Sequence, residues 1–354
     1  MNDQRIVDVV VPAGFDDPGR PSGGNTYDRR LCDALAEHGW SVRMRPIPGV
    51  WPRTDVDGGR ALGETLATIP AGTVTLVDGL VCSAAPEVVL PESRRLRLVV
   101  LMHMPLGLEA SGAAARAREC AVVDAAAAVV TPSTWCRRWL ISAYGVDPAR
   151  VHVAHPGVDP AEPAVGTPDG GSLLYVGAVT PAKGYDVLLA ALARLTELSW
   201  RCVCVGTVTA GEFVSRMQRG VLRTGLDGRV VLAGPRTGSD LAVAYAAADV
   251  LVHPSRAETY GMVVTEALSR GLPVIASRVG GVPEALGRTP DGRTPGLLVP
   301  SGDAAELAES LRLWLCDEEL RSCLREAARR RRSELTGWPD TAVRVAWVLT
   351  GVAA

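Results

Sequence analysis

The sequence predicts an α/β chain of two domains, each a parallel sheet covered by helices. Three observations carry this. At 354 residues the chain exceeds the length at which one hydrophobic core usually keeps growing. Apolar β-branched runs alternate with stretches of helical periodicity, the rhythm of βαβ units. That rhythm is broken once, by a segment dense in proline, glycine and acid, and then restarts.

In the first half, strands are expected at 6–11, 73–77, 96–102 and 127–131, with a helix over 24–38. In that helix Tyr27, Leu31, Ala34, Leu35 and His38 recur three and four residues apart, which gives one face to pack on a sheet, and Gly39 suits its C-terminal cap. The segment 159–170 has linker composition. Beyond it, strands are expected at 173–176, 202–205, 230–233, 250–253 and 274–276. The domains are thus 1–163 and 170–337. Residues 338–354, an apolar helix through Val343, Val345, Val348 and Leu349, are expected to pack back on the first domain. The run Arg329 to Arg332 ends a helix, where cations compensate the dipole and stay solvated.

A net charge of −2 argues against nucleic acid as the main partner, which needs a basic face. Arg29, Arg30, Arg43, Arg45, Arg94, Arg95 and Arg97 lie among acids such as Asp28, Asp33 and Glu37 and read as a solvated surface, which leaves peripheral membrane contact open. The eight cysteines include no Cys-x-x-Cys pair and no histidines at zinc spacing, so they are expected to be reduced, with no metal. The N-terminus shows no leader pattern, and the longest apolar runs fall far short of the roughly 20 residues that span a bilayer. The expectation is a cytoplasmic protein without a transmembrane segment.

Lys183 is the single lysine among 37 Lys and Arg residues. It sits between a strand end and a helix start, where backbone N–H groups and the helix dipole favour anions, so it reads as a phosphate ligand. A second strand–loop–helix–strand stretch runs over 253–277. There Glu258 lies in the loop and Glu266 in the helix that Gly261 opens. The two carboxylates therefore address different parts of one elongated ligand. Gly261 lets the backbone come close, and the N–H groups of 260–264 are unpaired donors at a helix start. Phosphate oxygens and sugar hydroxyls suit both loops.

Glu258 and Glu266 bracket seven residues, and Pro254-Ser255, Thr259-Tyr260-Gly261, Glu266-Ala267 and Gly271-Leu272-Pro273-Val274 flank them. With Gly23-Gly24, His103, the stretch 156–159 and the stretch 280–284, this pattern resembles the retaining glycosyltransferases of family 4, over nearly the whole chain. The resemblance implies a GT-B fold, with two Rossmann-like domains, an interdomain cleft and a C-terminal helix crossing back. It also implies a hexosyl transfer with retention from a nucleoside diphosphate sugar, UDP- or GDP-linked, to an unidentified acceptor, with neither metal nor other cofactor. Carried over by position, Lys183 binds the diphosphate, and Glu258 with Thr259, Tyr260, Gly261, Met262 and Val263 holds the sugar. Glu266 binds the ribose and Arg236 helps to wall the base. Gly23 and Gly24 let the first loop approach phosphate and acceptor, and His103 faces the sugar across the cleft, which makes His103, Lys183 and Glu258 the catalytic set.

The chain departs from the family at Ala178, where similar enzymes carry an arginine. Arg236, Arg256 or a helix N-terminus are the candidates to replace that cation. Two alternatives stand beside the transferase: a GT-B epimerase or phosphorylase-like enzyme, and a non-catalytic nucleotide-sugar binding protein.

Overall fold

The computed structural model describes residues 5–53, 55–108 and 112–353; Met1 to Gln4, read above for a leader, lie outside the described residues. The chain divides into two units, one of Met1–Asp17, Ser22–Gly157 and Thr336–Ala354, the other of Pro18–Pro21 and Val158–Leu335.

The first unit runs β1 (Ile6–Pro12), α1 (Gly23–Glu37), β2 (Ser41–Ile47), α2 (Val56–Ala67), β3 (Val74–Asp78), α3 (Gly79–Ala84), α4 (Pro86–Glu92), β4 (Arg97–Leu101), α5 (Gly112–Ala125), β5 (Ala128–Thr131), α6 (Thr134–Tyr144) and β6 (Val151–Val153). Its sheet is parallel throughout, in the order β2-β1-β3-β4-β5-β6. The second unit runs β7 (Ser172–Val176), α7 (Tyr185–Leu192), β8 (Arg201–Val205), α8 (Glu212–Arg223), β9 (Val230–Gly234), α9 (Gly238–Ala246), β10 (Val250–His253), α10 (Met262–Leu268), β11 (Val274–Ser277), α11 (Val282–Leu286), β12 (Gly296–Val299), α12 (Ala304–Cys316) and α13 (Glu318–Arg331). This sheet too is parallel, in the order β12-β11-β10-β7-β8-β9.

Both sheets are doubly wound. The chain grows outward from β1 to β2 and then resumes on the other side at β3; in the second unit it grows from β7 to β9 and resumes at β10. The carboxyl ends of β1 and β3, and of β7 and β10, therefore flank a topological switch point, where the diverging loops leave a crevice.

Burial explains the strands. Val7, Val9, Val10 and Val11 of β1 and Leu173, Leu174 and Tyr175 of β7 are covered on both sheet faces, hence the apolar runs, broken in β1 only by the buried Asp8. Each such side chain contributes about 1.5–3 kcal/mol. Three strands were not foreseen. β2 reads Ser-Val-Arg-Met-Arg-Pro-Ile because it is a half-exposed edge, β6 has three residues, and β12 is a short edge strand.

The last helix, α14 (Trp338–Ala353), packs on the first unit. The Trp338 ring meets Tyr27 of α1 edge-on at 5.6 Å, and Thr341 Oγ1 donates to His155 O at 2.7 Å. The Arg329 to Arg332 run is less solvated than expected. Arg331 Nε donates to Leu286 O, and Arg332 donates to Ser269 O and Ala161 O, so it ties α13 to the body of the second unit. Arg45 and Arg95 are likewise structural: Arg45 pairs with fully buried Asp8, and Arg95 donates to Ile69 O and Leu66 O. Among the described residues no helix is long and apolar enough to cross a membrane.

Candidate active site

In the second unit, β7 ends at Val176 and the chain loops through 177–184 before α7. Gly184 opens that helix at φ +67°, and an added Cβ would sit 1.9 Å from Pro254 O, so only glycine fits. The loop is held from below by Tyr175, whose hydroxyl donates to Ala178 O at 3.0 Å and lies 3.4 Å from Lys183 O. Lys183 is thereby aimed at the end of the neighbouring strand β10. Its Nζ lies 2.7 Å from Glu258 Oε2.

The β10 loop is locked to the lysine loop. Arg256 N donates to Ala182 O at 2.8 Å, and its guanidinium grips Asp186 through two bonds of 2.7 and 2.8 Å while also reaching Pro181 O. Arg256 is therefore committed to the scaffold and does not replace the cation missing at Ala178. Burial alone would push the Glu258 carboxyl up; Lys183 and then His253 outweigh it and hold Glu258 below the usual carboxylate range. His253, whose Nε2 lies 3.8 Å from Glu258 Oε2, is buried with neither ring nitrogen hydrogen-bonded. Burial pulls it down to about 4, so it is neutral.

Gly261 caps α10 at φ +98°, in the left-handed region that favours glycine, and a Cβ there would lie 3.6 Å from Glu258 Cγ. Val264 N–H donates to Gly261 O at 2.9 Å, which removes it from the expected donor set and leaves Met262 and Val263 at the first turn. Thr259 and Tyr260 are buried, and the Tyr260 ring belongs to the apolar core around Val264 and Val282. Glu266, further along α10, accepts from Tyr245 Oη at 2.8 Å, and the Arg270 guanidinium lies 4.5 Å from the Tyr245 ring centre. Burial pushes Glu266 up, opposed by the Tyr245 bond and by Arg270. Arg236 follows β9, half-buried, with no hydrogen-bond or ion-pair partner among the described residues.

In the first unit, Gly23 and Gly24 open α1 behind the N-cap Ser22, whose side chain accepts from Asn25 N. Gly23 is exposed, while Gly24 faces His103 so closely that a Cβ would lie 3.2 Å from the ring. His103 follows β4, and its Nε2 lies 2.7 Å from Asp28 Oδ1 and 3.7 Å from Asp78 Oδ2. Asp28, read from the sequence as part of a solvated surface, is 1 % exposed: it occupies the buried face of α1 next to Tyr27.

Sequence reasoning missed Tyr175, Tyr245, Asp186, Asp28 and Asp78 as neighbours of the site. Asp78 carried a partial signal, since a carboxylate directly after the apolar run 73–77 and before a helix is a helix cap at a strand end; only the strand order places that end at the switch point.

The fold and these loops define a class, the two-unit GT-B glycosyltransferases. Comparison with known proteins agrees. Residues 166–331 match the model for glycosyl transferases group 1, and residues 78–162 match that for glycosyltransferase family 4. The D-inositol 3-phosphate glycosyltransferase of Mycobacterium leprae is 36 % identical over 180 residues, 47 % of this chain and 41 % of that protein. The protein of the same name from Mycobacterium tuberculosis is 34 % identical over 217 residues, 57 % and 42 % of the two chains. The chain thus spans about two fifths of the length of these curated relatives. Among solved structures, sucrose-phosphate synthase from Thermosynechococcus elongatus superposes with a TM-score of 0.81 at 23 % identity, over 98 % of this chain and 99 % of that one. Anabaena HepE in complex with UDP and glucose gives 0.78 at 20 %, over 98 % and 100 %. The two family matches, over 78–162 and 166–331, together with these relatives support a glycosyltransferase of the family 4 type.

Proposed function

We propose that the protein transfers a hexosyl group from a nucleoside diphosphate sugar to an acceptor, with retention at the anomeric carbon. The observation that carries this is the Lys183–Glu258 contact of 2.7 Å, set where β7 and β10 diverge at the switch point of the second unit. A lone ammonium, a carboxylate and the first-turn amides of α10 form a site for a phosphorylated polyol. A fold relative binding UDP and glucose, and relatives named for glycosyl transfer, favour that ligand class.

In this reading the donor's diphosphate displaces Glu258 from Lys183. As the anomeric bond breaks, negative charge grows on the leaving phosphate oxygen, and a preorganised ammonium and amides stabilise it without reorganisation. Glu258, once released, accepts from sugar hydroxyls, and Glu266, steadied by Tyr245, accepts from the ribose. In retention the acceptor attacks from the face the diphosphate leaves, and the leaving phosphate takes its proton. The first unit, with Gly23, Gly24 and His103, is assigned to the acceptor. Lys183 supplies the charge that a divalent ion provides in other transferases, so the reaction is proposed to be metal-independent.

Calorimetric titration of wild type and Lys183→Ala with uridine, guanosine and adenosine diphosphates and their sugars, with and without chelator, tests this. One nucleotide class should bind in the presence of chelator and weaken by about 1.5–3 kcal/mol in the variant, the value of a charged hydrogen bond. No binding in any combination would overturn the donor assignment. A second reading, nucleotide-sugar binding without turnover, is favoured by one observation: Arg256 is tied to Asp186 and leaves Ala178 uncompensated on that side. Donor binding with no product on any acceptor would select it.

A further inference from the structure

Three ionisable groups from three elements converge in the first unit. Asp28 comes from the buried face of α1, Asp78 from the end of β3, and His103 from the loop after β4. Their side chains are 0 %, 2 % and 12 % exposed. One carboxylate oxygen of each aspartate has a partner: Asp78 Oδ1 accepts from Leu80 N at 2.6 Å, and Asp28 Oδ1 meets His103 Nε2. Asp28 Oδ2 is buried with no hydrogen-bond partner, and among the described residues no guanidinium or ammonium pairs with either carboxylate.

Two neighbouring carboxylates removed from water, with no cation beside them except an imidazole, cannot both stay ionised against a neutral ring. Of the two arrangements that leave no net charge, the one with a single proton between the carboxylates and an extra proton on the ring places that proton on the more basic group, the imidazole. The other titratable groups facing the cluster supply no positive charge. Cys32 on α1 and Cys82 on α3 are held protonated by burial and then by these same aspartates. Asp33 and Glu119 act on those thiols as further negative charges. Burial, then Asp28, raises Asp78 to about 7. Burial pulls the His103 imidazole down, but Asp28 and Asp78 outweigh it and leave it raised.

We infer that Asp28 and Asp78 are positioning residues that share one proton and hold His103 as an imidazolium of fixed orientation, which makes His103 a charged hydrogen-bond donor to substrate and removes it as a base. The ring plane is fixed by Nε2–H donating to Asp28 and by the Tyr27 edge at 5.1 Å, and Gly24 leaves room for it, since a Cβ there would press on Cδ2. The donor atoms of the three residues lie within 4.8 Å of one another. The 2.7 Å from Nε2 to Oδ1 is below the roughly 3 Å between adjacent ligands of a zinc or magnesium ion, so the spacing suits protons. The catalytic half of this inference rests on the proposed acceptor role of the first unit; the protonation half does not.

The test is nitrogen-15 NMR titration of His103 in wild type, Asp28→Asn and Asp78→Asn. Wild type should show the imidazolium pattern at pH 7 and titrate above the ordinary 6.5, while Asp28→Asn should titrate at least one pH unit lower and Asp78→Asn should stay closer to wild type. A neutral wild-type ring at pH 7 overturns the inference, and this measurement does not depend on any variant folding. So does broadening of the His103 signals by millimolar manganese, which would place a cation there. With the acceptor in hand, Asp28→Asn should lower kcat at least tenfold with donor Kd unchanged. An unchanged kcat with a neutral ring would overturn the catalytic half alone, and absence of any transferase activity in wild type would leave the titration result standing.

Discussion

Lys183 Nζ and Glu258 Oε2 lie 2.7 Å apart, and they come from the loops that follow β7 and β10, the two strands between which the second sheet changes its direction of winding. The pair is both a ligand site and a structural element, because Glu258 is largely withdrawn from water. Lys183→Ala should cost stability at pH 7 as well as donor affinity, since it leaves a buried carboxylate without its cation. The sign follows from the depressed Glu258: its stabilisation is present above the ordinary 4.5 and is lost as pH falls through its lower folded value. The gap in thermal midpoint between wild type and Lys183→Ala should therefore narrow from pH 7 to pH 3.5. A gap that persists unchanged at pH 3.5 counts against the ion pair as its source.

Arg256 and Asp186 hold the lysine loop and the glutamate loop in one register. The pair is about a third exposed on each side, so its worth in stability is small, about 0.2–1 kcal/mol for such ion pairs. Its worth in geometry is larger, because Arg256 also reaches Pro181 O beside Lys183. Arg256→Lys keeps the charge but loses the two-pronged grip. The expected result is a near-normal thermal midpoint with donor KM raised several-fold. Unchanged KM would show that the loops keep their register without it.

The sheet strands were legible because both faces of a parallel sheet are covered, which writes apolar runs such as Val9 to Val11 and Val250 to Val252 into the chain. Edge strand β2 was not, since its Arg43 and Arg45 face outward or pair with Asp8. The site was legible where chemistry concentrates in a short motif, as at Glu258, Gly261 and Glu266. Its supports were hidden, because Tyr175, Tyr245 and Asp186 are ordinary sheet or helix residues until the fold brings them within reach of Lys183 O, Glu266 and Arg256. Asp28 was misjudged for the same reason. A carboxylate in a run of charges reads as surface, and only the turn of α1 shows that Asp28 points inward while Arg29 points out.

Gly184 allows a cleaner separation of strain from collision. Gly184→Ala places a side chain at φ +67° and drives a methyl to 1.9 Å from Pro254 O, whereas Gly228→Ala meets the same backbone cost at φ +74° with nothing within 4 Å. The Gly228 variant should lose about 1 kcal/mol or somewhat more, the range for an unfavourable backbone conformation. Gly184→Ala should lose clearly more and should also displace Lys183 from Glu258, abolishing donor binding. Equal losses in chemical denaturation would mean the Pro254 contact relaxes freely.

His253 provides the acid limit of the second unit. It is neutral in the fold, titrating near 4 because of burial, while the unfolded chain takes up its proton near the ordinary 6.5. Between those values the unfolded state binds more protons than the folded one, so stability falls as pH falls. One proton taken up only by the unfolded chain is worth about 1.36 kcal/mol for each step of one in pH, so the loss from pH 6.5 to 5 is at most about 2 kcal/mol. Glu258 contributes little slope in that window, because its stabilisation disappears only below 4.5. His253→Leu removes the titrating group, so urea unfolding of wild type should steepen with acid between pH 6.5 and 5 while that of the variant stays flatter by about that amount. Parallel pH profiles for the two proteins would show that His253 is reached by water or finds a proton acceptor, and that its ring is not the neutral group packed behind Glu258.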